Sequence, residues 1–235
     1  IVIDADNFEY DKIKNIINAN GNVKIDNKDE GYLIYADDAK YFKNKELFLT
    51  KGQSKAINEG IVIDADNFEY DKIKNIINAN GNVKIKDTVN DYLILANESI
   101  YYKNSEKIIT KGKTEADIQS KYFITSKNIT YLHDKKILSS QHKTKIKDQK
   151  SKVYFAEKFN YLINQEIVKG ENFLIITNYN LPKSDKFFLN NAIIFNSFSR
   201  MDEFLYCLLW LLNGIDWVDE FELFCCFKSK AFLFV

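Results

Sequence analysis

Apolar and polar residues alternate along most of this chain with a period of two, which is typical of strands that bury one face. The stretch Ile61–Ile85, IVIDADNFEYDKIKNIINANGNVKI, shows the pattern clearly. A first segment rich in β-branched and aromatic residues leads to a polar turn at Asp71-Lys72, and a second alternating segment follows. An amphipathic helix requires apolar residues three and four positions apart, and the stretch does not sustain that spacing. The stretch therefore predicts two strands joined by a turn.

The same skeleton recurs about every 30 residues. The segment Ile1–Ile25 is identical to Ile61–Ile85, letter for letter. We take one residue of the first strand, usually a small one, as the anchor of each repeat. The anchors are Ala5, Ala36, Ala65, Ala96, Ser126 and Ala156, and a more divergent repeat has Asn190 at this position. An aromatic residue stands five positions after every anchor, and an apolar residue stands twelve positions after the first six. A fixed period of this length predicts an array of stacked repeats, here numbered 1 to 7 by their anchors.

A glycine stands sixteen residues after each of the first four anchors, at Gly21, Gly52, Gly81 and Gly112. Glycine inside a strand usually marks a bulge or a tight bend, so its recurrence predicts a repeated corner. A single hairpin cannot bury its apolar face, but stacked repeats share one core. The sequence therefore predicts an all-β fold, an elongated antiparallel β-jellyroll or folded-sheet array of two-strand repeats. Its open edges are places where another chain can add a strand.

Two segments carry a resemblance to a known family. They are IDADNFEYDKIKNIINANGNVKI at Ile63–Ile85 and IYADDAKYFKNKELFLTKGQSKAI at Ile34–Ile57, and both resemble the OstA-like repeat. That repeat builds the periplasmic bridge protein LptA and the N-terminal domain of the outer-membrane assembly protein LptD. The resemblance covers roughly residues 1–195, and a run of more than five repeats with an interrupting loop favours an LptD-type domain.

The resemblance implies a β-jellyroll with an apolar groove along which acyl chains of lipopolysaccharide move towards the outer membrane. It also implies a periplasmic or outer-membrane location, and partners that are other Lpt jellyroll proteins joined by edge-strand pairing. No enzymatic activity, cofactor or metal is expected. The residues expected to line the groove are Ile34, Ala36, Tyr41, Ile63, Ala65, Phe68, Tyr70, Ile77, Ile94, Ala96, Tyr101 and Ile108.

The sequence predicts a domain of repeats over residues 1–196 and an atypical tail over residues 197–235. Residues 178–185 hold the only proline and are expected to form a loop inside repeat 6. The tail carries the only methionine, both tryptophans and all three cysteines. We favour translation out of frame as the origin of the tail, with a C-terminal cap or a membrane anchor as alternatives. Because Ile1 already lies within a repeat and no signal peptide is visible, we expect further sequence to precede it.

Composition narrows the choice of partners. Lysine and arginine together number 33, equal to the 33 acidic residues, and both signs are mixed through every repeat. A nucleic-acid-binding protein usually carries a basic stripe, so we expect no nucleic acid as a partner. No run of the chain reaches the roughly 20 apolar residues of a membrane-spanning helix.

Two groups of residues suggest chemistry. Paired carboxylates at Asp64 and Asp66, copied at Asp4 and Asp6, suggest a calcium site or an acid–base pair. The other repeats break the pair, so a solvated strand edge is the favoured interpretation. The two histidines, His133 and His142, stand nine residues apart without a third zinc ligand nearby in the sequence.

An alternative function is a structural or adhesive β-solenoid with a packed core and no lipid groove. The discriminating feature is the interior, which is an open apolar trough in one case and a filled core in the other. The tyrosines five residues after the anchors could stack on sugars or bases, but core packing is favoured. An enzyme built on a β-helix lacks any recurrent acid pair.

Overall fold

The computed structural model describes residues 1–28, 31–149, 152–176 and 186–196, together with short strands at 205–208, 225–226 and 231–234. The chain divides into two compact units, Ile1–Asp134 and Lys135–Val235. Each is described by itself below. The predicted boundary at residues 196 and 197 stays a prediction.

The first unit is built from strands and two single-turn 3₁₀ helices, η1 (Lys43–Lys45) and η2 (Lys103–Ser105). Its strands are β1 (Val2–Asp4), β2 (Asn7–Asp11), β3 (Ile16–Asn27), β4 (Tyr32–Phe42), β5 (Leu47–Lys51), β6 (Ser54–Asn58), β7 (Ile61–Ala65), β8 (Asn67–Asp71), β9 (Ile76–Asp87), β10 (Tyr92–Tyr102), β11 (Lys107–Ile118), β12 (Tyr122–Lys127) and β13 (Thr130–Leu132). The pairs whose registers are described are antiparallel, and the all-β prediction is confirmed.

Two strands per repeat are present as predicted, and each predicted strand has two halves that meet at a corner. In repeat 3 the first strand is broken into β7 and β8, whereas the second strand, β9, continues through the corner. The anchor halves pair with anchor halves, as β7 does with β6 and residues 84–87 of β9. The turn halves pair with turn halves, as β8 does with β5 and residues 76–80 of β9. The sheet thus consists of an anchor half-sheet and a turn half-sheet.

The recurrent glycine forms the corner, as the sequence predicts. Gly81 has φ +76° and is followed by Asn82 at φ 50°, so the backbone takes two successive left-handed steps. The Gly81 carbonyl accepts a hydrogen bond of 2.9 Å from the backbone N–H of Asp66. The same bond joins Asp6 to Gly21 and Asp37 to Gly52. In repeat 6 the left-handed corner residue is Asn172 at φ 52°, sixteen residues after Ala156, and Gly170 lies within a strand.

Replacing Gly81 by alanine should destabilise the protein more than replacing Gly112 by alanine. Both glycines have nearly the same backbone conformation, φ +76° and +78°, for which a side chain costs about 1–2 kcal/mol. A Cβ at Gly81 would lie 2.1 Å from Oδ2 of Asp66, whereas a Cβ at Gly112 would have nothing within 4 Å. Displacing Asp66 also disturbs its hydrogen bond with Asn82, which adds about 1 kcal/mol. Urea denaturation of the two variants measures the difference, and equal costs would contradict this account of the corner.

The turns that follow the first strands stack on one another through backbone hydrogen bonds. The residue ten positions after each of the first six anchors has a positive φ: Asn15, Glu46, Asn75, Glu106, Lys136 and Glu166. Within the first unit, the carbonyl of this residue accepts a hydrogen bond from the next repeat, for example from Lys72 N–H to Glu46 (3.1 Å) and from Lys103 N–H to Asn75 (3.0 Å). These bonds keep consecutive repeats in register at the outer end of the turn half-sheet.

The second unit contains β14 (Ile137–Ser140), β15 (Thr144–Asp148), β16 (Val153–Ala156), β17 (Lys158–Leu162), the 3₁₀ helix η3 (Ile163–Gln165), β18 (Ile167–Ile176), β19 (Lys186–Asn196), β20 (Leu205–Leu208), β21 (Cys225–Cys226) and β22 (Ala231–Phe234). Strand β18 pairs antiparallel with β16, β17 and β19. The core of this unit contains Tyr154, Phe159, Tyr161 and Phe173. Repeat 7 is a strand, as predicted.

Two predictions fall wholly or partly outside the described residues. The predicted loop at 178–185 lies outside them. In the tail, β20 pairs antiparallel with β19, and β22 pairs with β20 in parallel. The origin of the tail as a frame-shifted segment, a cap or an anchor remains a prediction. Among the described residues, no helix is long and apolar enough to cross a membrane.

Candidate functional site

The predicted groove residues lie together on the inner face of the first unit. Ten of the twelve are buried, namely Ile34, Ala36, Ile63, Ala65, Phe68, Tyr70, Ile77, Ile94, Tyr101 and Ile108. Tyr41 and Ala96 are half-buried. The corner explains why the apolar residues in the first strand of repeat 3 occupy odd-numbered positions before the bend and even-numbered positions after it. Ile63 and Ala65 point inward before Asp66, and Phe68 and Tyr70 point inward after it, because the bend there shifts the alternation by one residue.

Aromatic side chains fill the space between the half-sheets. On the turn half-sheet, the ring of Phe48 stacks on Tyr41 at 4.1 Å between centroids and lies 5.9 Å from Tyr70. Tyr32, on the anchor half-sheet, meets Tyr70 edge-on at 4.9 Å. Since Tyr32 and Tyr70 belong to different half-sheets, this contact shows that the two half-sheets face each other. Such aromatic pairs add about 0.5–1.5 kcal/mol beyond the area they bury.

Tyrosine hydroxyls on one half-sheet reach buried polar residues on the other. Tyr101 donates to Oδ1 of Asn58 at 2.9 Å, and Tyr131 donates to Oδ2 of Asp87 at 2.6 Å. Both acceptors stand twenty-two residues after an anchor, two repeats before the tyrosine that they bind. We call these two pairs the tyrosine ladder. Asn27 occupies the equivalent acceptor position in repeat 1, but its amide donates to the hydroxyl of Tyr32 at 2.8 Å.

Asp87 is the most strongly held member of the ladder. Its Oδ1 accepts hydrogen bonds from the backbone N–H groups of Val89 (3.0 Å) and Asn90 (2.8 Å), and its Oδ2 accepts from the Asn90 side chain (2.7 Å) as well as from Tyr131. Burial opposes ionisation of this carboxyl. The hydrogen bonds from Tyr131 and Asn90, with the nearby His133 imidazole, outweigh burial and lower the pKa of Asp87.

On the ladder tyrosines burial prevails, and the net shift of the pKa is upward. Burial raises the pKa of Tyr101 to about 12, with added repulsion from Glu106 and Glu59. Burial raises the pKa of Tyr131 as well, and the hydrogen bond to Asp87 strengthens the effect. Both hydroxyls therefore keep their protons at neutral pH and remain hydrogen-bond donors.

His133 lies beside the ladder between two carboxylates. Its Nδ1 is 2.8 Å from Oε2 of Glu106, and its Nε2 is 3.5 Å from Oδ2 of Asp87. His133 lies in the turn that follows β13, and the sequence alone does not indicate that it is near Asp87. Among the described residues, no group of three or more histidine, cysteine, aspartate or glutamate side chains is arranged to hold a metal ion.

Buried hydroxyls line the inner side of the corner in repeats 2 and 4. Thr50 and Ser54 lie 2.6 Å apart, and Thr110 and Thr114 lie 2.7 Å apart. Thr50 also accepts from the backbone N–H of Phe68 at 2.8 Å. The bend takes that N–H out of the strand ladder, so the hydroxyl supplies its partner. Repeats 1 and 3 carry alanine and valine at these two positions.

The interior of the first unit contains a small cavity with an apolar floor. Its volume is about 10 Å³, roughly the space for one water molecule. Ile61, Ile63 and Ile77 form the floor, and Tyr70, Tyr101, Asn58, Asn75 and Lys103 add polar atoms. The hydroxyl of Tyr70 and Oδ1 of Asn75 are buried without a hydrogen-bond partner among the described residues. In this state the space between the half-sheets is filled by side chains at this point.

The N-terminal edge exposes the side chains that repeat 3 buries. Phe8 is 54% exposed and Tyr10 is 45% exposed, whereas Phe68 and Tyr70, in the identical segment, are each 1% exposed. Strands β7 and β8 are covered by β6 and β5 of the preceding repeat. Among the described residues, β1 and β2 pair only with β3. Among the described residues, the outer backbone N–H and C=O groups of β1 and β2 therefore have no partner strand, and the side chains of Phe8 and Tyr10 are not covered.

The paired carboxylates lie at the outer side of the corner. Asp64 is 3.4 Å from Nζ of Lys55 on the neighbouring strand. Asp66 accepts hydrogen bonds from the Asn82 side chain at 3.0 and 3.1 Å. Asp64 thus forms an ion pair between neighbouring strands, and Asp66 stabilises the corner through its hydrogen bonds with Asn82. The cysteine side chains of the tail lie outside the described side chains.

No family model and no curated protein matches this chain. Among solved structures, it is similar to LptH of Pseudomonas aeruginosa, the LptA-homologous periplasmic component of the conserved lipopolysaccharide transport device. The two are 12% identical, the match covers 47% of this chain and 80% of LptH, and the TM-score is 0.43. A likeness this distant carries no argument for a common family or function, so the proposal below rests on the repeats and their inner face.

Proposed function

We propose that residues 1–196 bind the acyl chains of lipopolysaccharide and pass them across the periplasm towards the outer membrane, as part of an LptD- or LptA-type bridge. The observation that supports this most directly is the inner face of the first unit. Equivalent positions of successive repeats, such as Ile34, Ile63 and Ile94, are buried there in register. A column of this kind continues from repeat to repeat, as a conduit for an alkyl chain requires.

Transport of this kind needs no bond to be made or broken by the protein. The proposed role therefore involves no catalytic residue, cofactor or metal. Affinity would come from burial of alkyl surface, at about 25 cal/mol per Å². A lipid that is held only by such non-directional contacts can slide along the column.

The two half-sheets must separate before an acyl chain can lie between them. The space between them beside Tyr101 is about 10 Å³, far less than an acyl chain needs. Separation breaks the ladder bonds Tyr101–Asn58 and Tyr131–Asp87, each of which joins one half-sheet to the other. In the proposed function the tyrosine ladder is thus the closure of the groove, and lipid binding competes with it.

The proposed partners are other Lpt jellyroll proteins joined through strand edges. A strand added to β1 and β2 would occupy the position that β6 and β5 occupy on β7 and β8. It would cover Phe8 and Tyr10, as Phe68 and Tyr70 are covered. Comparison of the two identical segments thus indicates which side chains a partner strand would bury at the N-terminal edge.

Photo-crosslinking in the full chain tests the proposed function. A photoreactive phenylalanine at Phe68, which points inward, should form an adduct with lipopolysaccharide when cells expressing the protein are irradiated. The same residue at Leu95, an exposed apolar position on the outer face of the sheet, should not. Lys72, in the turn, is a second control.

A packed structural array is the second candidate, and the filled interior favours it. In that case the variant at Phe68 folds and forms no adduct with lipid, or crosslinks only within the chain. Equal adducts at Phe68 and Leu95 would indicate nonspecific contact with lipid and would also count against a groove.

A further inference from the structure

One of the hydrogen bonds that differ between the two identical segments joins a tyrosine to an asparagine. In repeat 1, the hydroxyl of Tyr10 donates to Oδ1 of Asn15 at 2.7 Å. In repeat 3, the same two atoms belong to Tyr70 and Asn75, and neither has a partner among the described residues. Since Ile1–Ile25 and Ile61–Ile85 are the same sequence, the difference comes from the surroundings and not from local preference.

The surroundings of Tyr70 separate it from Asn75. Its ring packs edge-on against Tyr32 and lies beside Phe48, while Tyr10 has neither neighbour. The amide nitrogen of Asn75 donates to Oδ1 of Asn104 at 3.0 Å, as the amide nitrogen of Asn15 donates to Oδ1 of Asn44 in repeat 1, so the packing of the tyrosine ring is what distinguishes the two segments. The atom of Asn75 that is buried without a hydrogen-bond partner among the described residues is its acceptor oxygen, Oδ1.

The two atoms left without partners line one cavity and define the chemistry that fits it. The phenolic hydroxyl of Tyr70 can donate or accept, whereas Oδ1 of Asn75 only accepts. A hydroxyl group accepts from Tyr70 and donates to Asn75, so it satisfies both. Leaving a buried polar atom unsatisfied costs about 1–3 kcal/mol, so a group that satisfies both atoms is favoured.

The rest of the cavity is suited to hydrocarbon. Ile61, Ile63 and Ile77 line it beside Tyr70, and these three residues belong to the apolar columns of the proposed groove. An alkyl chain lying along the columns would pass directly beside the two polar atoms.

We propose that Tyr70 and Asn75 form a binding site for a hydroxyl group carried on an alkyl chain, with the chain lying against Ile61, Ile63 and Ile77. The site gives the groove a preference for hydroxylated acyl chains over plain ones. This inference rests on the proposed function, because the half-sheets must open to admit the chain. Tyr70 positions the ligand and has no catalytic role.

Binding of β-hydroxydodecanoate and of dodecanoate to the full chain tests the site. By isothermal titration calorimetry, the wild-type protein should bind the hydroxylated acid about fivefold more tightly, the factor that one net hydrogen bond of about 1 kcal/mol gives. Tyr70→Phe retains the ring packing but removes the hydroxyl, and it should bind the two acids equally. Tyr10→Phe makes the same change in the identical segment at the exposed edge, and it should keep the preference.

The outcomes separate this site from the proposed function. If the wild-type protein binds both acids equally, or if Tyr70→Phe retains the preference, the hydroxyl site is overturned and lipid binding stands. A cavity that holds only a water molecule gives the first of these results. If neither acid binds, the hydroxyl site is overturned, and if Phe68 in addition forms no adduct with lipopolysaccharide, the proposed function fails with it.

Discussion

Replacing Phe68 by alanine should lower the free energy of unfolding by about 3–5 kcal/mol, the usual cost of removing a buried phenylalanine side chain. Replacing Phe8 by alanine should change it by no more than about 0.5 kcal/mol, as for most surface substitutions. Phe68 is 1% exposed and Phe8 is 54% exposed. Both lie in the same sequence, IVIDADNFEYDKIKNIINANGNVKI, so local strand propensity is equal in the two variants.

This pair of variants isolates tertiary packing. Phe68 lies on β8, which is paired on both sides, with β5 and with β9. Phe8 lies on β2, which pairs only with β3 among the described residues. The difference between the two variants therefore measures what a preceding repeat contributes to the burial of one aromatic side chain.

Urea denaturation followed by circular dichroism measures both changes, and amide hydrogen exchange within residues 1–134 assigns them to the first unit. Similar losses for the two variants would show that Phe8 is buried in solution. That result would mean that another strand covers the N-terminal edge, which is the contact proposed for a partner jellyroll. Dilution should then reduce the effect of Phe8→Ala, because association depends on concentration.

The sequence predicts the repeats, the turns and the corner because each has a local physical cause. Gly81 must take a positive φ, and the alternation of Ile77 and Ala79 matches the pleat of a strand. These features depend only on residues close together in the chain, and a repeat displays each of them several times. The all-β antiparallel fold follows from the same pattern.

The tyrosine ladder could not be predicted in the same way. Tyr131 and Asp87 are 44 residues apart, and the bond forms only because the two half-sheets face each other with an offset of two repeats. A signal was present nonetheless. Asn27, Asn58 and Asp87 each stand twenty-two residues after an anchor. A turn in contact only with solvent would not require an amide or carboxyl side chain at the same position of successive repeats. Ile118 interrupts the column in repeat 4, which makes it harder to recognise.

The ladder also bears on the choice between a groove and a packed core. A packed solenoid needs no polar residues between its sheets, because apolar side chains would fill the space with no desolvation cost. Here two tyrosine hydroxyls and their acceptors are buried where the half-sheets meet, and Thr50 and Ser54 are buried at the corner. A neutral hydrogen bond such as Tyr101–Asn58 contributes only about 0.5–1.5 kcal/mol to stability, and a bond to a carboxylate such as Asp87 contributes about 1.5–3 kcal/mol. The inner face thus combines apolar columns with buried hydrogen bonds that join the two half-sheets.

Asp87 should be the member of this closure whose loss is most costly. Asp87→Ala removes the acceptor for four hydrogen bonds and leaves the hydroxyl of Tyr131 buried without its partner. Breaking such a buried charged contact costs about 3–5 kcal/mol. Asp117→Ala is the control, since Asp117 also caps a turn, through the N–H of Ser120, but has no tyrosine partner among the described residues. It should cost about 1 kcal/mol, as the loss of one hydrogen bond does.

The pH dependence of the unfolding free energy shows how much of the contribution of Asp87 comes from its negative charge. Because the folded protein lowers the pKa of Asp87 below the ordinary value of 3.8, ionised Asp87 stabilises the fold above that pH. As the pH falls below 3.8, the wild-type protein progressively loses this contribution. Asp87→Asn has no charge to lose there, so the gap between wild type and Asp87→Asn should be largest near neutral pH and should shrink in acid. Urea denaturation of both proteins at pH 7 and at about pH 3 measures the gap. A gap that is the same at both pH values would show that the contribution of Asp87 to stability does not depend on its ionisation.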